Sequence, residues 1–455
     1  MQPLLSGPIL PTLLRLALPN VMAMTFTVMV AVAETYYVGR LGTAPLAAMA
    51  LVFPFAMLTQ MMSAGAMGGG VSSAVSRALG GGDLPRAHAL AAHAVIIGAG
   101  AGVLHAVVML TCGPGFYRLL GGEGAVLAEA VPYAAVLFCG APLVWLSNTL
   151  ASVLRGTGNM RVPSLGIAAG AGLQIVLGAL LTFGAGPVPA LGMLGVALAH
   201  IVATAAGVAL FAWHLRSGRG RLTLRRQGVA LQREMFADIL RVGALACLSP
   251  VQSVLAALIF TGLVARLGVP VLAGYGIGQR LEFMLIPIAF GIGVASVPMV
   301  GMAIGAGQVA RARSVAWTAA AVSAANLAVI GFVVALAPDL WAAIFSSDAA
   351  VLDAARDYLR IAGPAFPFFG LGLTLYFAAQ GSGQVLGPVL AGTLRLVLVA
   401  GVGWWMLSGG LGGATATALF ALASAAMVAY GLATAAAVKF SRWGPARAAP
   451  MPQSR

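Results

Sequence analysis

Two acidic side chains of this 455-residue chain, Glu34 and Glu282, fall inside long apolar runs. A charge held within a membrane costs about 2.5–3.5 kcal/mol on insertion scales, so by default such a residue marks an ion or substrate path. Glu34 can take up and release a cation or proton; the structural alternative is a residue near the outer end of the first helix, reaching water. Tyr37, one turn on, shares its helix face and can either hydrogen-bond that carboxylate or sit in an interfacial aromatic belt. Arg280 and Glu282 are two residues apart, about 200° around a helix, so they point to nearly opposite faces. One of them can face a cavity and meet substrate while the other reaches an interface. Glu282 can also be the structural partner of an arginine such as Arg395. Pro19 interrupts the hydrogen bonding of the first apolar run and permits a kink.

Other chemistries are missing from the pattern. His88, His93, His105, His200 and His214 show no metal-ligand spacing, and no Ser-His-Asp or Cys-His arrangement is legible. The three cysteines, Cys112, Cys139 and Cys247, form neither a disulfide framework nor a zinc site and read as packing residues. The glycine-rich stretches follow no strand and are not phosphate loops. The sequence therefore predicts no enzyme, no catalytic residue, no metal and no cofactor.

The elements that must position the carboxyls follow from composition. The chain is 60% hydrophobic and 8% charged, against about 25% charged in an ordinary globular protein. The apolar runs lack the in-out alternation of a membrane β-barrel and are long enough to span a bilayer as helices. The net charge of +14 would point to nucleic acid in a soluble chain; here the distribution of the charges matters, and no nucleic acid partner is expected. Twelve spans are predicted, at 13–38, 44–72, 87–111, 126–150, 162–184, 191–215, 242–265, 271–303, 314–337, 355–379, 387–407 and 412–438. The first continues past Arg15 and reads as a retained helix, not a signal peptide. Placing the N-terminus inside puts eighteen of twenty-five basic residues on the cytoplasmic side, as the positive-inside rule requires. Both termini are then cytoplasmic. The predicted divisions are 1–215 (first six-helix lobe), 216–241 (cytoplasmic linker), 242–438 (second lobe) and 439–455 (cytoplasmic tail).

The chain also repeats itself. VGRLGTAPLAA (38–48) matches VARLGVPVLAG (264–274) at an offset of 226, which also pairs Gly65 with Gly291 and Gly81 with Gly307. LRGTGNMRVPSL (154–165) matches AQGSGQVLGPVL (379–390) at an offset of 225. Six helices per half means that both halves enter from the same side. The predicted fold is thus an all-α polytopic membrane protein, twelve transmembrane helices in two six-helix bundles related by a pseudo-twofold axis along the membrane normal, with a site at their interface. The carboxyls break the repeat, Glu34 pairing with Phe260 and Glu282 with Ala56, so the halves have diverged chemically.

LRLALPN, AETYYVGRLGTAPLAA and GAMGGGVSSAVSRALGGGD in the first half, GYGIGQRLEFMLIPIAFGIGVASVPMVGMAIGAGQ in the second, and LRGTGNMRVP with QIVLGALLTFG between them resemble the multidrug and toxic compound extrusion (MATE) family over nearly the whole chain. The resemblance implies two lobes around a V-shaped cleft in a bacterial inner membrane. It implies export of organic, often cationic, compounds driven by inward proton or sodium flow, and a first helix that bends near Pro19 during transport. Two departures stand out. Glu34 replaces the family's usual Asp, and the Asn-x-x-Leu-Asp of many members reads Gln174-Ile175-Val176-Leu177-Gly178. With only a Gln174 amide oxygen to assist it, Glu34 is expected to couple to protons more readily than to sodium. Glu282, Tyr37 and Arg280 are the expected substrate contacts, and the transporter is expected to work as a monomer in the lipid bilayer. The alternative, a flippase for a lipid-linked precursor, would want several cavity arginines; only Arg280 and Arg395 are available.

Overall fold

The computed structural model describes residues 2–218, 220–223, 231–409 and 415–444. Arg219, Arg225, Arg226, Arg447 and Arg455, used above to orient the chain, lie outside them, as does the middle of the predicted linker. Eleven helices are long and apolar enough to cross a membrane, and a pair bent by 42° supplies a twelfth span. They are α1 (Ile9–Leu41), α2 (Thr43–Gly80), α3 (Leu84–Leu119), α4 (Gly124–Cys139 with Ala141–Gly156, the bent pair), α5 (Arg161–Phe183) and α6 (Met193–Arg216), followed by α7 (Arg233–Ala265), α8 (Val269–Gly305), α9 (Val309–Leu336), α10 (Ala349–Ser382), α11 (Leu386–Leu407) and α12 (Ala416–Phe440). Each predicted span overlaps one of them; the predicted ends at 184 and 337 and the start at 191 overrun their helices by one or two residues, and 412–414 of the last span lie outside the described residues. The largest correction is at α7, which begins at Arg233, so the last turns of the predicted linker are already helix.

The repeated motifs have a backbone cause. Gly42 and Gly268, the glycines of the two Arg-Leu-Gly stretches, have φ of 133° and 108°. Gly158 and Gly383, of the Gly-x-Gly stretches, have φ of 84° and 79°. Side chains disfavour those values, so each half needs glycine at the same two turns. The register between the halves changes inside α2. Gly42 pairs with Gly268 at 226, whereas Gly82 (φ 77°) and not Gly81 is the left-handed counterpart of Gly307 (φ 75°), at 225. The first half thus carries one extra residue between these points. It also carries a π-helical segment at Met61–Met67, the form in which an α-helix absorbs an insertion.

Packing divides the chain into two units. One comprises Met1–Arg15, Ser76–Asp83 and Val251–Arg455; the other, Leu16–Val75 and Leu84–Pro250. Both differ from a division by chain order at 215 and 242, for visible reasons. Arg311 of α9 donates from Nε to Leu4 O at 3.1 Å and from Nη2 to Gly7 O at 2.6 Å, holding the N-terminal residues. The start of α7 is held on α3: Arg86 pairs with Asp238 at 3.0 Å, the Gln232 N–H donates to His93 Nε2 at 2.9 Å, and the His93 and Phe236 rings meet edge to face at 4.7 Å. In the same unit Gly98 and Gly102 of α3 pack against Thr149 and Pro142 of α4. Cys247 is buried, but Cys112 and Cys139 are exposed, correcting the reading of all three as packing residues.

Candidate functional site

Within the unit of Leu16–Val75 and Leu84–Pro250, α1 and α5 bring Glu34 and Gln174 together. Gln174 Nε2 donates to Glu34 Oε1 at 2.6 Å, so the amide nitrogen, not the expected amide oxygen, faces the carboxylate. Lower on the same helices, Ser164 Oγ donates to Asn20 Oδ1 at 3.2 Å, tying α1 to α5 one residue past Pro19. Helix α1 runs unbroken through Pro19, and the division between the packing units falls at Arg15/Leu16. That is the turn whose bond Pro19 deletes, since its missing N–H would have met the Arg15 carbonyl.

Tyr37 does not take the carboxylate. Its hydroxyl donates to Ile175 O at 3.3 Å, and its ring meets Phe183 edge to face at 5.9 Å. The ring also stands in front of Gly178, where a Cβ would come 3.3 Å from Tyr37 Cε2. Tyr37 thus fills the space in which the resemblance led one to look for a second carboxylate. The buried Tyr133 of α4 lies within electrostatic range of Glu34, with Tyr117 beyond it.

In the other unit, Glu282 of α8 is half-buried and accepts a hydrogen bond from the hydroxyl of Tyr358 of α10. Tyr358 continues an edge-to-face aromatic series, Phe260–Tyr275–Tyr358–Phe420, with centroid spacings of 5.1, 5.2 and 5.1 Å. Arg395 of α11 lies within electrostatic range of Glu282, and its guanidinium sits over the rings of Phe369 at 5.8 Å and Tyr430 at 6.0 Å. Among the described residues no ion pair joins Arg395 to Glu282. Arg280 is exposed, its guanidinium 5.2 Å from the centroid of Phe345. It lies apart from the Glu282 cluster, as the 200° separation requires.

The two carboxyls have related settings. Gly124 and Ala349 begin the fourth helix of each half, 225 residues apart, and the same offset pairs Tyr133 with Tyr358. Phe260, the counterpart of Glu34, closes the aromatic series around Glu282. Gly403, the counterpart of Gly178, packs against Leu263, the counterpart of Tyr37. Each half therefore places a buried tyrosine at the same point of its fourth helix, Tyr358 donating to Glu282 and Tyr133 lying within electrostatic range of Glu34, although different helices supply the acids. Sequence reasoning missed both tyrosines; extending the 225 offset through the fourth helices would have found them. Among the described residues no group of His, Cys, Asp and Glu is arranged to hold a metal.

The MatE family model matches two stretches of the chain, residues 19–180 and 246–405. The chain belongs to the MATE family. The matched stretches begin 227 residues apart, at 19 and 246, one in each half. MATE relatives include a protein named FAD transporter from Shewanella oneidensis, 26% identical over 87% of both chains. Others are the multidrug export protein MepA of Staphylococcus aureus, 23% identical over 86% of both, and a probable multidrug resistance protein NorM of Thermotoga maritima, 25% identical over 83% of this chain and 81% of that one. Among solved structures, a MOP-superfamily transporter from Pyrococcus furiosus superposes with a TM-score of 0.86 at 22% identity, covering 96% of both chains. A MATE transporter in its bent conformation gives 0.86 at 24% identity, covering 95% and 96%. At such identities the structures establish the twelve-helix MATE fold. The chain is a multi-pass membrane transporter.

Proposed function

We propose that this MATE transporter exports organic cations in exchange for protons, by rocking of its two lobes about hinges that include Pro19. The observation that carries the reading is the Glu34–Gln174 pair. One half-buried carboxyl with one amide donor, and a tyrosine ring where a second acid would stand, suits a proton better than a sodium ion, which prefers several oxygen ligands. A carboxyl among apolar helices is cheaper neutral than charged, so loading and unloading a proton switches the charge of the first half. Glu282, held by the Tyr358 hydroxyl, supplies a negative charge, which attracts cations. Tyr37, bonded to Ile175 O, and Arg280, set apart on Phe345, are weaker candidates for substrate contact. The positive-inside pattern supports cytoplasmic termini, a bacterial cell membrane suits the relatives' sources, and one chain holds both carboxyls, so a monomer suffices.

The name of the Shewanella relative raises a second reading, an anionic dinucleotide as cargo. Arg395 favours it, being the one arginine beside the Glu282 cluster. The flippase reading is weaker, because Arg280 is stacked on Phe345 at the surface. The test is transport by purified protein in proteoliposomes under separately imposed pH and sodium gradients, with a cationic dye and FAD as alternative cargoes. Dye efflux driven by the pH gradient alone is expected. FAD movement without dye movement would favour the second reading, and sodium-driven efflux would reverse the choice of ion.

A further inference from the structure

Arg155, in the last turn of α4, is 2% exposed, and its Nε and Nη1 have no hydrogen-bond partner. Among the described residues no ion pair involves it. Helical side chains lean toward the N-terminus of their helix, which carries the Arg155 stem back over Ser152, one turn earlier. Ser152 Oγ is also buried and without a partner, and it stands against Gly68 of α2. One turn along α2, Ser72 Oγ is a third buried polar group without a partner. Its backbone borders the same seam, Ser72 O lying 3.0 Å from where a Gly156 Cβ would be.

The second half contains the same seam without the charge. At the offset of 225, Gly293 packs on Phe377 as Gly68 packs on Ser152, and Gly381 meets Val297 O and Val300 as Gly156 meets Ser72 O and Val75. Ser72, Ser152 and Arg155 thus have Val297, Phe377 and Gln380 as counterparts. The close helix approach is met equally well by an uncharged set in which two of the three members are apolar, so the fold does not require the arginine or the two hydroxyls. What distinguishes the first half is one positive charge and two hydroxyls that can turn their protons toward an acceptor. A buried guanidinium with no counter-charge is strongly unfavourable. The carbonyl end of α4 offsets part of that cost, and water would satisfy the N–H groups while leaving the charge unmatched.

We propose that the α2–α4 seam of the first half binds a small monovalent anion of halide size, with Arg155 supplying the charge and Ser152 and Ser72 supplying hydroxyl donors. The test follows the unfolding temperature of the purified full-length protein in lipid nanodiscs, exchanging gluconate for chloride or bromide at fixed pH and ionic strength. A saturable rise with halide is expected. Ser152→Ala should raise the half-saturating concentration about tenfold, the effect of losing one hydrogen bond to a charged group. Arg155→Gln, which copies the second half, should fold and unfold at a temperature indifferent to halide. Unfolding of the wild type that ignores halide, or a halide response unchanged in both variants, overturns the proposal. If Arg155→Gln cannot be recovered folded, bromide anomalous scattering from wild-type crystals decides. A peak beside the Arg155 guanidinium is expected, and none there at saturating bromide overturns the site.

Discussion

The ring of Tyr37 stands 3.3 Å from the point where a side chain at Gly178 would begin. Leu263 and Gly403 make the same contact in the second half, so small-against-large packing of the first and fifth helices is a rule of this fold. In the first half the rule displaces an acid. Gly178→Asp should therefore force Tyr37 aside and cost about 1–3 kcal/mol, as overpacking does. Tyr37→Ala combined with Gly178→Asp should restore stability and introduce sodium-dependent dye efflux. A single Gly178→Asp variant as stable as the wild type, measured by thermal unfolding in nanodiscs, would show that the ring is no barrier.

Glu34→Gln keeps the shape of the side chain and removes its charge switch. Gradient-driven efflux should fall to background while ligand binding persists, and Glu34→Asp should retain coupling in part. Efflux under an imposed pH gradient is the measurement. Wild-type coupling in the Gln variant would move the proton site to Glu282.

Tyr358 holds Glu282 from an equivalent position to Tyr133, so its phenol orients the carboxylate. Tyr358→Phe leaves that carboxylate short of a donor, a cost of about 1–3 kcal/mol, and should lower stability. Glu282→Gln should weaken cationic ligands at least tenfold and spare neutral ones. Isothermal titration with one ligand of each charge separates this from a structural role, in which both would weaken equally.

Orientation is open to chemical labelling. Gln308, just before α9, and Ser347, just before α10, are exposed and separated in the chain by one span. With Cys112, Cys139 and Cys247 replaced, Ser347→Cys should react with an impermeant thiol reagent on intact cells and Gln308→Cys only after lysis. The reverse pattern would invert the topology.

Much of this arrangement is legible in the residues. Long apolar runs can bury nothing but helices in a bilayer, and the twin glycine turns announce themselves because positive φ admits few other residues. The π segment of α2 is harder to see, since one extra residue leaves an all-apolar helix with the same hydropathy. Its trace is the drift of the repeat offset from 226 to 225. The partner of Tyr37 is hidden from the sequence for a different reason. Residues three apart on one helix look like neighbours, yet here the competing acceptor, Ile175 O, comes from another helix, and no periodicity within α1 reports it. Arg155 appeared to be one more cytoplasmic arginine, because charge counting is blind to burial.

Each half begins with a helix whose opening residues pack in the unit of the other half: Met1–Arg15 with the second, and the start of α7 as far as Pro250 with the first. This interlacing bears on how the protein is made. In the folded unit Gly70 of α2 lies against Gly243 of α7, where a Cβ at Gly70 would lie 2.7 Å from Gly243 Cα. That contact needs a chain synthesised past Gly243, and the unit it belongs to ends at Pro250. A nascent polypeptide ending at 232 should stay open to protease in the membrane, whereas one ending at 250 should become resistant. Resistance gained between those lengths would mark Leu16–Val75 with Leu84–Pro250 as the body that matures first.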